Sequence, residues 1–208
     1  MSDPIKLAVL VSGSGTTLQN LIDRIASRQL NAQISLVLGS RPGLTGLQRA
    51  RDAGLPCEVV DRKEHPDCLS FSRQIFGRID KAHVDLVCLA GWLCLLEIPP
   101  QYRSCVMNIH PALLPAFGGK GMYGLKVHEA VLAHGCKISG CTVHFVDEVY
   151  DTGPIILQRA CPVLEDDTPQ TLAHRVFEEE KIAYPQAISL FAQGRLKVEG
   201  RRVRIDPQ

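Results

Sequence analysis

The sequence has no excess of charge of either sign, because 23 lysine and arginine residues nearly balance 22 aspartate and glutamate residues. Such a balance provides no polycationic surface for nucleic acid. The sequence also has no apolar run long enough for a membrane helix, and the acidic Asp3 stands where a signal peptide would have basic residues. These absences favour a cytoplasmic protein with neither nucleic-acid nor membrane partners.

Cysteine pairs of the CxxC type are missing, although the chain has eight cysteines. Several lie in apolar runs such as DLVCLAGW, which is typical of buried thiols that act as small hydrophobic side chains. Cys136, Cys141 and the nearby histidines lack the tight clustering of structural zinc sites. We therefore expect no bound metal. A GxSxG motif is missing too, which disfavours an α/β-hydrolase.

Short apolar runs rich in β-branched residues alternate with segments of helical periodicity from residue 7 onward. This rhythm predicts an α/β fold with a doubly wound, mostly parallel, Rossmann-like sheet and helices on both faces. Strands are predicted over 7–12, 34–40, 57–61, 85–91, 106–110, 138–147 and 155–163, and helices over 16–27, 47–54, 68–82 and 125–135. A long helix capped by Asp167 or Thr168 and interrupted at Pro185 precedes a hairpin around Glu199-Gly200. No linker is visible, so the prediction is a single domain over 1–208.

Ligands of such sheets bind beyond the carboxyl ends of the strands. The turns of interest are therefore Ser12 to Thr16, Gly91 to Leu96, Asn108 to Pro115 and Asp147 to Gly153.

The first of these turns, SGSGTTL, has the character of a phosphate site. Gly13 and Gly15 lead into a helix that starts with two threonines, where unpaired backbone N–H groups attract anions. A dinucleotide fingerprint would need a third glycine at Leu18, although Arg41 after the second strand keeps an NADP site open. A tight turn before a capped helix is the structural alternative.

The turn NIHPALLP places an amide and an imidazole on the same side of a strand end, because Asn108 and His110 are two residues apart. Asparagine can donate to an oxyanion while histidine moves a proton, a combination that suits acyl or formyl transfer. The neighbouring turn offers three acids as partners of His110, namely Asp147, Glu148 and Asp151. Asp151 is favoured because it begins the DTGP stretch, in which Gly153 allows the backbone to bend toward a ligand. His144 either supports Asp151 or is a buried histidine, and a structural strand end is the alternative for Asn108 and His110.

Five stretches together resemble the phosphoribosylglycinamide formyltransferases, which are folate-dependent enzymes of purine biosynthesis. These are KLAVLVSGSGTTLQNLI, LVCLAGWL, NIHPALLPAF, GCTVHFVDEVYDTGPII and EEEKIAYP, in order from about residue 5 to about residue 196. The resemblance implies transfer of the formyl group of 10-formyltetrahydrofolate to the amine of glycinamide ribonucleotide. It assigns the oxyanion to Asn108, stabilisation of the intermediate to His110, and proton transfer to Asp151.

The resemblance also implies the remaining contacts. The nucleotide phosphate is expected on Gly15, Thr16 and Thr17, with Glu180 contacting the nucleotide. The folate is expected against Trp92, Leu93, Cys94 and Leu96. Folate is then a cosubstrate and no bound cofactor is expected, in a monomer or homodimer with a nucleotide-phosphate half over about 1–105 and a folate and catalytic half over about 106–208. A cis peptide is expected between Leu114 and Pro115.

Two departures from the family pattern stand out. Phe177 occupies a position that is polar or basic in some relatives, so the charge that balances the phosphate must come from elsewhere, with Arg62, Lys63 or Lys120 as candidates. The segment 117–128 is longer than in many members, and its glycines suggest a flap.

The same Asn, His and Asp set occurs in 10-formyltetrahydrofolate deformylase, a hydrolase, which is the main alternative, and in methionyl-tRNA formyltransferase. The phosphate-binding character of the SGSGTTL loop favours a small ribonucleotide over water or a tRNA end. A non-catalytic nucleotide-binding module would explain the glycine loop but not the three catalytic residues together.

Overall fold

A computed structural model describes residues 3–207 of the chain. Across these residues the strands are β1 (Ile5–Val11), β2 (Ala32–Gly39), β3 (Cys57–Val59), β4 (Leu86–Leu89), β5 (Val106–His110), β6 (Ile138–Phe145), β7 (Ile155–Pro162), β8 (Leu196–Glu199) and β9 (Arg202–Ile205). The α-helices are α1 (Thr16–Ala26), α2 (Thr45–Asp52), α3 (Cys68–Ala82), α4 (Leu125–Ala133) and α5 (Pro169–Ala192), with short 3-10 turns at Arg62–Glu64 and Pro100–Tyr102. The predicted α/β fold with a mostly parallel sheet is confirmed.

The chain divides into two compact units, one up to Met107 and the other from Asn108. In the first unit the strands lie in the order β3-β2-β1-β4 and all pair in parallel. The chain moves outward from β1 through β2 to β3, and then returns through α3 to the other side of β1. Because such crossovers are right-handed, this reversal places α3 on the face opposite to α1 and α2. Helices on both faces leave the strands buried on both sides, and Leu86 to Leu89 of β4 are accordingly buried throughout.

The reversal of direction also creates a ligand-binding position in the first unit. β1 and β4 are adjacent and parallel, so their carboxyl ends lie at the same edge of the sheet. The connections that leave these two ends run in opposite directions, which opens a crevice at the sheet edge. The topology therefore predicts a crevice between the loops after Val11 and after Leu89.

In the second unit the order is β5-β6-β7-β9-β8. The pairs β6–β7 and β8–β9 are antiparallel, whereas β7 and β9 meet in parallel. The hairpin predicted around Glu199-Gly200 is confirmed by β8 and β9. Helix α5 packs against β6, β7 and α4, which fixes the carboxyl end of β6 relative to the helix that carries Glu180.

Helix α5 corrects one prediction and confirms another. Thr168 is the N-cap, and its hydroxyl accepts from the Thr171 N–H while the Thr171 hydroxyl accepts from the Thr168 N–H. The predicted interruption at Pro185 is wrong, because the helix continues to Ala192. A proline inside a helix costs about 3 kcal/mol; the complete burial of Tyr184 and Ile188 around it offsets that cost. None of the described helices, α5 included, is both long and apolar enough to cross a membrane.

The Thr168 cap gives a prediction for stability. Replacing Thr168 by alanine removes the acceptor of the Thr171 N–H and is expected to lower the free energy of unfolding by about 1 kcal/mol. Urea denaturation followed by circular dichroism measures this change. Thr168→Ser retains the hydroxyl and is expected to stay close to the parent protein; an alanine variant as stable as the parent would show that the cap contributes nothing.

Candidate active site

The loop between β1 and α1 exposes a row of backbone donors. Gly15 precedes the helix in a left-handed conformation with φ of 72°, and none of the described side chains caps the helix. The N–H groups of residues 14–17 donate to no acceptor among the described residues. Uncapped N–H groups at a helix N-terminus bind anions well. The predicted phosphate residues Gly15, Thr16 and Thr17 therefore lie where an anion can be held by backbone.

Gly15 is required by its surroundings as well as by its conformation. A Cβ at this position would lie 2.5 Å from the Cα of Gly46, on the first turn of α2. Any side chain would therefore push α2 off the loop, in addition to the strain of a left-handed backbone.

A single serine at the end of β1 connects three strand ends of the first unit. The Ser12 N–H donates to the Gly91 carbonyl at 3.2 Å, and the Ser12 hydroxyl accepts from the Leu93 N–H at 3.1 Å. The Ser40 hydroxyl, just after β2, donates to the same oxygen at 2.9 Å. The glycine loop and the loop after β4 are thus fixed to each other by one buried side chain, which sequence reasoning missed.

Helix α3 holds the other side of the loop after β4. The Cys68 thiol donates to the Leu95 carbonyl, with a sulfur to oxygen distance of 3.3 Å. The Ser72 hydroxyl accepts from the Glu97 N–H at 2.9 Å. With Ser12 on one side and α3 on the other, the backbone of this loop is fixed at both ends.

The four residues predicted to contact folate differ in their exposure to solvent. Trp92 and Leu96 are buried, and the Trp92 ring stacks on Phe71 with centroids 5.8 Å apart. Leu93 is 46% exposed. Cys94 is half-buried, and burial raises the pKa of its thiol against the opposing hydrogen bonds with Ser40 and Ser12. Leu93 and the loop backbone are therefore the parts of this segment that a ligand can reach, while Trp92 packs in the interior.

In the second unit the predicted catalytic residues come together. Asn108 and His110 lie at the end of β5, His144 at the end of β6, and Asp151 in the turn that follows β6. The His110 Nδ1 atom lies 3.5 Å from one carboxylate oxygen of Asp151, and the His144 Nε2 atom lies 3.6 Å from the other. Of the three acids considered, Asp151 is the one whose carboxylate the structure places beside both histidines.

The backbone determines which nitrogen of His110 carries the proton. The Nε2 atom lies 2.8 Å from the Phe117 carbonyl, which can only accept, so Nε2 is the protonated nitrogen. The other nitrogen, Nδ1, then faces Asp151. Burial lowers the pKa of His110, and the charge of Asp151 offsets part of this effect. At neutral pH the imidazole is therefore neutral, with a basic nitrogen directed at a carboxylate.

The Asp151 carboxylate is ionised in a largely buried position. Its backbone is left-handed, with φ of 57°, and one oxygen accepts from the Gly119 N–H at 2.9 Å. Burial alone would raise the pKa of Asp151, but the nearby rings of His144 and His110 and the hydrogen bond from the Gly119 N–H hold it below its usual value. Gly153 makes the turn possible, because a Cβ there would lie 1.8 Å from the Phe145 carbonyl oxygen.

His144 orients Asn108. The His144 Nδ1 atom donates to the Phe145 carbonyl at 2.8 Å, so Nε2 is left to accept from the Asn108 amide nitrogen at 3.2 Å. The same amide nitrogen donates to Asp151 over a longer distance of 3.4 Å. His144, expected to support Asp151, thus lies beside both Asn108 and Asp151.

A further histidine borders this cluster and escaped the sequence reasoning. His128 on α4 is buried, and its Nδ1 atom has no hydrogen-bond partner among the described residues. Burial and the nearby His110 lower the pKa of His128 to about 4. It is therefore neutral and adds no charge beside His110.

The segment after His110 is held by two polar residues of neighbouring strands. The Thr142 hydroxyl donates to the Ala112 carbonyl at 2.6 Å and accepts from the Leu114 N–H at 3.0 Å. Gln158 donates to both the Leu114 carbonyl and Thr142. The expected cis peptide between Leu114 and Pro115 is present. A threonine inside the apolar run ISGCTVHF was the available signal for this network.

Glu180 lies on α5 apart from these hydrogen bonds. Its side chain is half-buried and makes no hydrogen bond or ion pair with another described residue, whereas the adjacent Glu179 pairs with Arg159 at 2.6 Å. Burial raises the pKa of Glu180 to about 8. At neutral pH this carboxyl is mostly protonated and can donate as well as accept a hydrogen bond.

Comparison with known proteins places this geometry in a family. The model of the formyl transferase family matches residues 5–188. A phosphoribosylglycinamide formyltransferase of Arabidopsis thaliana, described as chloroplastic, is 41% identical over 92% of this chain and 67% of its own length. The trifunctional purine biosynthetic protein adenosine-3 of Drosophila melanogaster is also 41% identical, but the chain spans only 14% of its length.

Solved structures of similar proteins support the same family assignment. Glycinamide ribonucleotide transformylase 1 from Symbiobacterium toebii superposes with a TM-score of 0.90 at 44% identity, covering 99% of this chain and 95% of that one. A formyltetrahydrofolate deformylase from Pseudomonas syringae shares the fold with a TM-score of 0.86, at 22% identity over 99% of this chain and 67% of that one. Taken with the match over residues 5–188, these findings show that the chain belongs to the formyl transferase family.

Proposed function

We propose that this chain transfers the formyl group of 10-formyltetrahydrofolate to the amine of glycinamide ribonucleotide, releasing formylglycinamide ribonucleotide and tetrahydrofolate. The observation that carries the proposal is the cluster of Asn108, His110 and Asp151, in which the buried His110 has a basic imidazole nitrogen 3.5 Å from an ionised carboxylate. The names of the Arabidopsis and Symbiobacterium relatives support the choice of acceptor.

The reaction needs one proton to move from the attacking amine to N10 of the folate, and one oxyanion to be stabilised. The His110 Nδ1 atom and the Asp151 carboxylate face each other as two acceptors, so a proton released by the amine is taken up between them. The imidazolium formed in this way is stabilised by Asp151 and in turn stabilises the negative oxygen. The proton then passes to N10 as the carbon–nitrogen bond to the folate breaks.

Asn108 is the oxyanion donor in this scheme. Its amide nitrogen holds one hydrogen on His144 at 3.2 Å and directs the other to Asp151 at 3.4 Å. The longer hydrogen bond is the weaker one, so this hydrogen is the one that turns to the developing oxyanion.

Binding of the two substrates is assigned to backbone more than to side chains. The phosphate of the ribonucleotide is placed on the N–H groups of Gly15, Thr16 and Thr17. The protonated Glu180 carboxyl is assigned to the nucleotide, and the pterin to Leu93 and the backbone of the loop after β4. A cytoplasmic location and a monomeric or homodimeric state stay predictions of the sequence.

An absorbance assay for tetrahydrofolate tests the reaction, with a 10-formylfolate donor offered with and without glycinamide ribonucleotide. Release that depends on the ribonucleotide supports the transferase. Release of tetrahydrofolate without the ribonucleotide would identify a deformylase. No release under either condition would favour a non-catalytic nucleotide-binding module.

The catalytic set predicts a clear response to mutation. His110→Ala and Asp151→Asn remove the proton acceptor and its partner, and each is expected to lower kcat by at least about 100-fold. Binding of glycinamide ribonucleotide, measured by calorimetry, is expected to stay within about threefold, because neither side chain belongs to the phosphate loop. His174→Ala is the matched control, since the His174 side chain is 80% exposed. Near-full turnover in either test variant would contradict the assigned roles.

The burial of His110 predicts its titration. The pKa of His110 lies below its ordinary value of 6.5, so below that pH the unfolded chain takes up a proton before the folded protein does. The contribution of the neutral imidazole to the free energy of unfolding is therefore lost as the pH falls from 6.5 through the pKa of His110 in the folded protein. The imidazole proton resonance, assigned by its loss in His110→Ala, is expected to titrate below pH 6.5. In Asp151→Asn it should titrate lower still, because the charge that favours imidazolium is gone; titration of the parent protein at or above pH 6.5 would overturn the assignment.

A further inference from the structure

Helix α2 donates hydrogen bonds to two consecutive carbonyl groups of the glycine loop, the segment between β1 and α1. The Gly46 N–H donates to the Gly13 carbonyl at 3.1 Å. One turn later, the Arg49 Nε–H donates to the Ser14 carbonyl at 2.9 Å, and its Nη1 donates to the Gln19 side chain at 3.2 Å. Both carbonyls are thereby drawn toward α2.

This arrangement determines where the loop N–H groups point. In a planar trans peptide the C=O and N–H bonds point in opposite directions. With the carbonyls of Gly13 and Ser14 directed at α2, the N–H groups of Ser14 and Gly15 are directed away from it. These two donors find no acceptor among the described residues, so α2 supplies oriented donors for an anion on the opposite side of the loop.

Arg49 also brings an unneutralised charge to the loop. It is half-buried, and it forms no ion pair with a carboxylate among the described residues. Its side chain reaches the loop itself, because its Cδ atom lies 3.5 Å from the position that a Cβ on Gly15 would take. Arg62, a candidate from the sequence, is otherwise engaged: it donates to the His65 carbonyl and lies over the Phe71 ring.

We propose that Arg49 is a positioning and specificity residue for the phosphate monoester of the nucleotide substrate. It orients the N–H groups of the glycine loop through the Ser14 carbonyl and supplies positive charge that favours a phosphate over an uncharged sugar hydroxyl. Gln19 holds the guanidinium in this orientation, and is itself fixed by donating to Asp23 at 2.9 Å. The proposal rests on the proposed function, since it assumes a phosphorylated substrate at this loop.

The geometry distinguishes arginine from lysine at this position. A planar guanidinium reaches the Ser14 carbonyl and Gln19 with two separate N–H groups, whereas an ammonium is a single point charge on a flexible stem. Arg49→Lys therefore retains the charge but not the bridge, and Arg49→Gln loses both.

Steady-state kinetics with both substrates test the proposal. Arg49→Gln is expected to raise the KM for glycinamide ribonucleotide by roughly 10- to 100-fold, with an intermediate rise in Arg49→Lys. Since Arg49 acts at the phosphate, kcat and the KM for 10-formyltetrahydrofolate should stay within about twofold. Arg51→Gln is the matched control, because Arg51 lies on the same helix, is exposed and carries the same charge. An equal rise of this KM in Arg51→Gln would overturn the proposal. So would a rise of both KM values in Arg49→Gln together with a lowered Tm.

Binding of ribose 5-phosphate by calorimetry separates this inference from the proposed reaction. The Kd is expected to rise in Arg49→Gln by the same factor as the KM, whether or not the chain catalyses transfer. If the parent protein binds ribose 5-phosphate and shows no transfer, the proposed reaction fails while Arg49 is still tested. If Arg49→Gln binds ribose 5-phosphate as tightly as the parent, the role of Arg49 is refuted.

Discussion

The hydrogen bond from His110 Nε2 to the Phe117 carbonyl is the interaction on which the catalytic geometry depends. A carbonyl accepts and never donates, so this contact decides the tautomer of the imidazole. The basic nitrogen consequently faces Asp151, and the proton transfer proposed for this pair follows from that orientation. The segment that begins at Phe117, expected to be a flap, is therefore part of the catalytic frame at its start, since Gly119 also donates to the Asp151 carboxylate.

Buried polar groups of this kind are stable only when their partners are in place. A carboxylate removed from water needs hydrogen-bond donors, and Asp151 accepts from the Gly119 N–H and the Asn108 amide, with the rings of His110 and His144 beside it. The same principle applies to the neighbouring backbone, because Thr142 and Gln158 form hydrogen bonds with the N–H and carbonyl groups of the segment after His110. The chemistry of the site is thus inseparable from the strands β6 and β7 that carry those residues.

The first unit uses the opposite arrangement. Its loop carbonyls are satisfied by α2 and its loop ends by Ser12, Cys68 and Ser72, while the N–H groups of the glycine loop stay available. A backbone fixed at its acceptors and open at its donors is prepared for an anion, because little order has to be gained when the ligand arrives. Direct side-chain contact with the phosphate is then less important than the contacts that orient the loop.

The sequence by itself determined the features that depend on local periodicity and short spacings. Alternating apolar runs gave the strand and helix order, with α3 and β5 at their predicted bounds, and the spacing of two residues brought Asn108 and His110 to the same side. Tertiary packing decided the rest, because those outcomes depend on residues far apart in the chain. Burial of the flanking residues carried α5 through Pro185, and Phe71 drew Trp92 into the interior. The tautomer of His110, the link between Ser12 and Leu93, and the contact of Arg49 with the glycine loop are likewise contacts that no local pattern encodes.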